Sequence, residues 1–196
     1  MSTIKKKKQI ENLAVGAILT ALVVVLQFLA IFTRPLFPLF SITLVLIPIV
    51  LGAALCGTKV SAWLGFVFGV VVLLSGDAGV FLAFSIPGTI ITVLLKGTLC
   101  GLAAGLVYNT LSKKGNKLAI WAASIVCPIV NTGVFALGCY VFFLKDLTAM
   151  AAESGYADVT AFIFLGLIGI NFIVEVVINV ILNPAVITVI RVIKKK

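Results

Sequence analysis

The chain contains no histidine. That absence removes Ser-His-Asp and Cys-His nucleophilic catalysis and the commonest zinc sites. Charge is scarce too: 11% of the 196 residues are Asp, Glu, Lys or Arg, and only six are acidic. So few charges cannot clothe a water-facing shell. No paired-carboxylate motif is present either, so the sequence does not read as an enzyme. The four cysteines, Cys56, Cys100, Cys127 and Cys139, form no C-x-x-C pair and no secreted disulfide framework. They read as small apolar packing residues. Nothing in the sequence calls for a metal or a cofactor.

What the chain has in abundance is oil. Hydrophobic residues make up 62% of it, and the mean hydropathy is +1.30. The whole of 1–196 reads as a single transmembrane domain of all-α class, an integral membrane bundle of six transmembrane helices over 11–32, 42–56, 59–75, 85–111, 118–144 and 161–191. The first segment follows a lysine run, as in a signal peptide. It is longer than an h-region of about 7–15 residues and lacks a small-x-small cleavage site, so it is kept as a membrane helix. Pro38 and Pro48 blur the start of the second segment, and Gly57 supplies a turn before the third. Pro87 with Gly88 predicts a late or kinked start to the fourth.

The net charge of +9 comes largely from three short runs, Lys5 to Lys8, Lys113, Lys114 and Lys117, and Lys194 to Lys196. That distribution reports topology and not nucleic-acid binding, since Lys and Arg are retained on the cytoplasmic side. With the N-terminus inside, these runs, Lys59 and Arg191 all fall inside. Only Arg34 and Lys145 fall outside, alongside Asp77, Asp146, Glu153 and Asp158. The expectation is N-in, C-in, in the cell membrane, with Trp63 and Trp121 at the inner interface. Of the outer loops, Thr33 to Ser41 is stiffened by Pro35 and Pro38 and given apolar faces by Phe37 and Phe40. It is either a lid over the bundle or a plain connector. The stretch 145–160 is polar and acidic, with room for a short surface helix.

Within this oil lie a few polar groups. Asn171, Glu175, Asn179 and Asn183 follow one another at steps of four, a spacing that drifts by about 40° per step and keeps them near one helix face. A carboxylate at that depth is costly and must turn towards protein or a cavity. Lys96 lies roughly 16 Å below the outer end of its helix and Glu175 roughly 21 Å below that of its own. Asn131 stands mid-helix after Pro128, and Pro184 follows Asn183. Lys96, Asn131, Asn171 and Glu175 suffice for a polar pocket opening outwards; the alternative is a structural Lys96–Glu175 ion pair knitted by amides. The ammonium and carboxylate together suit a zwitterionic or acid-bearing solute with amide or hydroxyl groups. Phe28, Phe32, Phe81, Phe84, Phe135 and Tyr140 in the outer half are candidates to pack a flat ring, or to serve as lipid contact and core.

Small residues mark helix contacts. Ala14, Gly16, Ala17 and Ala21 line the first helix, where Ala17 and Ala21 are four apart; they serve a partner helix or this same bundle. Gly65 and Gly69, and Gly97, Gly101 and Gly105, repeat the spacing in the third and fourth helices and are assigned to packing within the bundle.

Taken in order, these features resemble the substrate-binding S components of energy-coupling factor (ECF) vitamin transporters, and most of all their riboflavin-type branch. The carriers are the length, the helix count, the run Ala17-Ile18-Leu19-Thr20-Ala21, the proline-rich first outer loop, Pro48 with Gly52, Pro128 with Asn131, and Asn171, Glu175 and Asn179. The resemblance implies a subunit that captures a vitamin from outside without hydrolysing ATP. It implies partners: a transmembrane coupling subunit and two ATPase subunits. It places Lys96, Asn131, Asn171, Glu175 and Asn179 on the substrate, Pro35, Phe37, Pro38 and Phe40 in a gate, and Ala17 and Ala21 against the coupling subunit. Riboflavin-type members tend to have an acidic residue before the proline of helix two; here Leu46 and Ile47 stand there, leaving riboflavin, pantothenate and similar compounds open. Outside this class the competing readings are a self-contained secondary transporter with Glu175 as proton shuttle and an assembly factor without ligand.

Overall fold

Inside lipid no water is available to pair with backbone N–H and C=O groups, so apolar runs of this length must satisfy themselves as helices. The computed structural model describes residues 2–33, 44–113 and 115–194, and nearly all of these are helical. In order they form α1 (Ser2–Thr33), α2 (Leu46–Cys56), α3 (Thr58–Leu74), α4 (Gly79–Phe84), α5 (Ile86–Leu111), α6 (Asn116–Phe142), α7 (Leu144–Glu153), α8 (Val159–Ala161), a π-helical segment (Phe162–Gly169) and α9 (Ile170–Lys194).

Among the described residues, four stretches are long and apolar enough to cross a membrane: Gln9–Ala30, Ile86–Leu111, Asn116–Phe142 and Val159–Ile193. The other two expected crossings are the shorter apolar helices α2, of 11 residues, and α3, of 17, about 16 and 25 Å long. They join at Gly57, whose φ of 90° favours glycine. The described residues are therefore all-helical, with several helices fit to cross a membrane.

Three local features depart from the sequence expectation. α5 begins at Ile86 with no late start: the Ser85 side chain accepts a hydrogen bond from the Gly88 N–H at 3.2 Å, and Pro87 sits in the first turn, where its missing N–H costs nothing. The fifth apolar segment stops at Phe142, short of its expected end at 144, and the chain turns into α7, the short surface helix expected here, whose inner face buries Leu147 and Ala151. The last segment opens as a π-helix before continuing as α9.

α5 is the central helix, packed most extensively against α3 and α6. Its contact with α3 is backbone on backbone. A Cβ on Gly65 would strike the Gly97 carbonyl, one on Gly101 the Ser61 carbonyl, and one on Gly105 would meet the Thr58 backbone. Such contact replaces the hydrophobic drive that lipid does not supply. The outside is as apolar as the core: Leu13, Leu137 and Leu165 face outwards, while Gln27, Thr92, Ser124, Asn131, Glu175, Asn179 and Asn183 are buried among apolar residues. Trp63 and Trp121 are exposed. The gate candidates Pro35, Phe37, Pro38 and Phe40 lie outside the described residues.

Candidate functional site

Three helices turn polar faces towards one another. Helical spacing sets Thr89, Thr92, Val93 and Lys96 along α5, Asn131, Thr132 and Phe135 along α6, and Asn171, Phe172 and Glu175 along α9. Between them is a cavity of about 530 Å³, within the range of about 300–1,000 Å³ usual for small-molecule sites. One end is formed by the α3–α4 turn from Gly76 to Phe81, by Leu147 and Met150 of α7 and by Leu167 and Ile168 of the π segment. Phe68, Phe135 and Phe143 add apolar wall.

The sequence candidates Lys96, Asn131, Asn171 and Glu175 thus reach one space. Glu175 is 4% exposed and Asn131 5%; Lys96 and Asn171 are half-buried. Lys96 Nζ lies over the Phe135 ring, 5.0 Å from its centroid, and 5.8 Å from that of Phe68. Cation–π attraction of about 0.5–2 kcal/mol holds an ammonium there while leaving its N–H groups to donate elsewhere. The oxygens Thr92 Oγ1, Asn131 Oδ1 and Asn171 Oδ1 are buried without a hydrogen-bond partner among the described residues. An unmade buried hydrogen bond costs about 1–3 kcal/mol, so three such atoms on residues lining one cavity point to a ligand as their missing partner.

The rest of the α9 stripe belongs to the bundle. Asn179 is buried but is not among the lining residues: its amide turns back to donate to the Glu175 carbonyl at 2.8 Å. Asn183 accepts from Ser124 Oγ at 2.6 Å, tying α9 to α6 near the prolines, Pro128 and Pro184, that lie inside the two helices. The π segment widens the turn just before Asn171; such segments are frequent at functional sites.

Of the aromatic candidates, Phe81 and Phe135 line the cavity and meet edge to face with centroids 5.2 Å apart. Phe84 packs behind Phe81, Tyr140 belongs to the core between α6, α7 and the π segment, and Phe28 is exposed. Ala17 and Ala21 lie on the outer surface of α1, whereas Gly16 is buried against Val60.

Two lining residues escape a reading by sequence alone. Thr92 stands four residues before Lys96, the spacing that marks the α9 stripe. Asp77 looks like an ordinary loop charge, yet it lines the cavity and its Oδ2 accepts from Gln27 Nε2 at 3.2 Å.

The family model described as ECF transporter, substrate-specific component, matches residues 11–187 of the chain. No curated protein and no solved structure matches the chain at a significant level.

Proposed function

The chain belongs to the ECF transporter substrate-specific component family, a family of transporter substrate-binding subunits and not of enzymes, and from that premise we propose that it captures a vitamin or related micronutrient from outside the cell for an ATP-driven importer. The observation that carries the reading is the cavity of about 530 Å³. It combines phenylalanine walls with Lys96, Asn131, Asn171 and Glu175 at a depth where lipid would otherwise surround them. In this reading these four residues, with Thr92, bind the solute, and Asn179 holds the α9 backbone beneath them. Six crossings, α2 and α3 included, with both termini cytoplasmic, open the cavity outwards in keeping with the distribution of Lys and Arg. Residues 33–41 act as the gate. The ECF module, a transmembrane coupling subunit with two ATPase subunits, docks on α1 through Ala17 and Ala21. Riboflavin and pantothenate are both small enough for the space.

The test is mass spectrometry of small molecules retained by detergent-purified protein, followed by titration of Lys96→Ala and Glu175→Ala. Each change is expected to weaken binding of the retained solute at least tenfold, about the worth of one charge-assisted contact. Unchanged binding in both would remove the cavity as the binding site. Uptake by proteoliposomes lacking ATPase subunits would favour a self-contained carrier.

A further inference from the structure

We propose that Asn131 and Asn171 together read the edge of a flat ring in which an N–H and a C=O stand side by side, as in a lactam, imide or ureide, and that the solute of this cavity carries such a ring. The proposal deepens the importer reading and rests on it.

Asn131 stands on α6 and Asn171 on α9, and both line the cavity. Elsewhere on α9 the amides find partners in the protein: Asn179 donates to the Glu175 carbonyl and Asn183 accepts from Ser124. Asn131 and Asn171 differ, for the Oδ1 of each is buried without a partner among the described residues. Two helices thus bring the same unspent chemistry to one space. An Asn amide carries an acceptor and two donors in one plane. Its best match is a group that offers a donor and an acceptor together, as when Asn pairs with the adjacent donor and acceptor of an adenine edge. Exchanging the amide O and N by a half-turn leaves that match intact. A cyclic amide has such an edge, because the ring forces its N–H and C=O onto one side. An open-chain secondary amide is trans and turns the two groups to opposite sides. The walls suit a ring as well: Phe68, Phe81 and Phe135 border the same space, and aromatic faces pack against flat faces. Thr92 Oγ1, also without a partner among the described residues, adds a hydroxyl contact from α5.

The experiment identifies the co-purifying solute by mass spectrometry. It also titrates purified protein with riboflavin (a cyclic imide), riboflavin methylated at the imide nitrogen, biotin (a cyclic ureide) and pantothenate (an open-chain amide). The retained solute is expected to contain a cyclic amide, imide or ureide; where nothing is retained, riboflavin or biotin is expected to bind tightest of the four probes. Asn131→Leu and Asn171→Leu should each weaken that solute or probe about tenfold, while the empty protein melts no lower because each change removes an unsatisfied oxygen. A merely structural amide would lower the melting temperature along with the affinity, and that result overturns the proposal. A retained solute without such a ring, tightest binding of pantothenate or of methylated riboflavin, or unchanged affinity in either variant overturns it too and leaves the importer reading intact. No retained solute and no binding of any probe overturns both. The retained solute and the wild-type ranking decide the matter even if a variant fails to fold.

Discussion

Thr92 carries a hydroxyl for which the protein itself has no use. Its Oγ1 is buried without a partner among the described residues, beside the cavity, and its side chain closes against Gly138. Other threonines of these helices satisfy themselves locally: Thr20 donates to the Gly16 carbonyl at 2.8 Å and Thr98 to the Leu94 carbonyl at 2.7 Å. Because that back-bonding is the usual fate of a lone helical threonine, sequence spacing passes over Thr92 although it stands one turn from Lys96. Glu175 and Lys96 are legible because lipid makes their charge expensive; Asp77 is not, because charge in a loop is cheap. The Thr92→Val change tests the distinction. It removes an unsatisfied group and keeps the shape, so the ligand-free protein should melt no lower, and up to about 1–2 kcal/mol more stably. Affinity for the retained solute should fall about tenfold. Calorimetry of the empty protein and titration of the solute measure the two halves, and undiminished affinity takes Thr92 out of the site.

Among the elements, the α3–α5 pair governs where the site stands, since α5 carries Thr92 and Lys96. Its glycine ladder is readable in the sequence as small residues at steps of four, and the structure turns that spacing into backbone contact. The π segment and α4 are not readable in this way. Hydropathy is the same for an α- and a π-turn, and α4 is too short to show a period, whereas α7 shows one, with Phe143, Leu147 and Ala151 buried at steps of four. Asn179 shares the period of its neighbours yet misses the cavity, because periodicity fixes a face and not which side chain finds a partner first. Gly65→Val puts a Cβ where the Gly97 carbonyl already lies. Backbone cannot yield there as a side chain can, so the loss should reach at least about 1–3 kcal/mol, with weaker solute binding as α5 is displaced. Gly133→Ala is the control: a Cβ on Gly133 meets nothing within 4 Å, and a helical alanine gains up to about 1 kcal/mol. Thermal melts of the two variants in the same detergent should move in opposite directions; equal shifts would mean that the α3–α5 contact is softer than its geometry.

At the scale of the whole molecule, one surface has two demands upon it. Ala17 and Ala21 face outwards from α1 in a bundle whose other outward positions are mostly large, Leu13, Ile18, Leu22 and Val25 among their neighbours. If lipid alone covered this face, large side chains would serve as well as small ones, because acyl chains conform to either. A second helix does not conform, and close approach needs small residues. Replacing both alanines by leucine should therefore leave the bundle and its cavity alone: neither side chain enters the core, and leucine is at home in oil. Solute affinity should stay within about twofold of wild type, a difference smaller than about 0.5 kcal/mol. Co-purification with the coupling subunit and ATP-dependent uptake should both fall at least tenfold, about the cost of forcing two bulky side chains into a tight helix contact. Pull-down and uptake in proteoliposomes, run beside the titration, separate the outcomes. Loss of solute binding would mean that α1 supports the cavity and not the partner, and unchanged uptake would move the docking face elsewhere on the bundle.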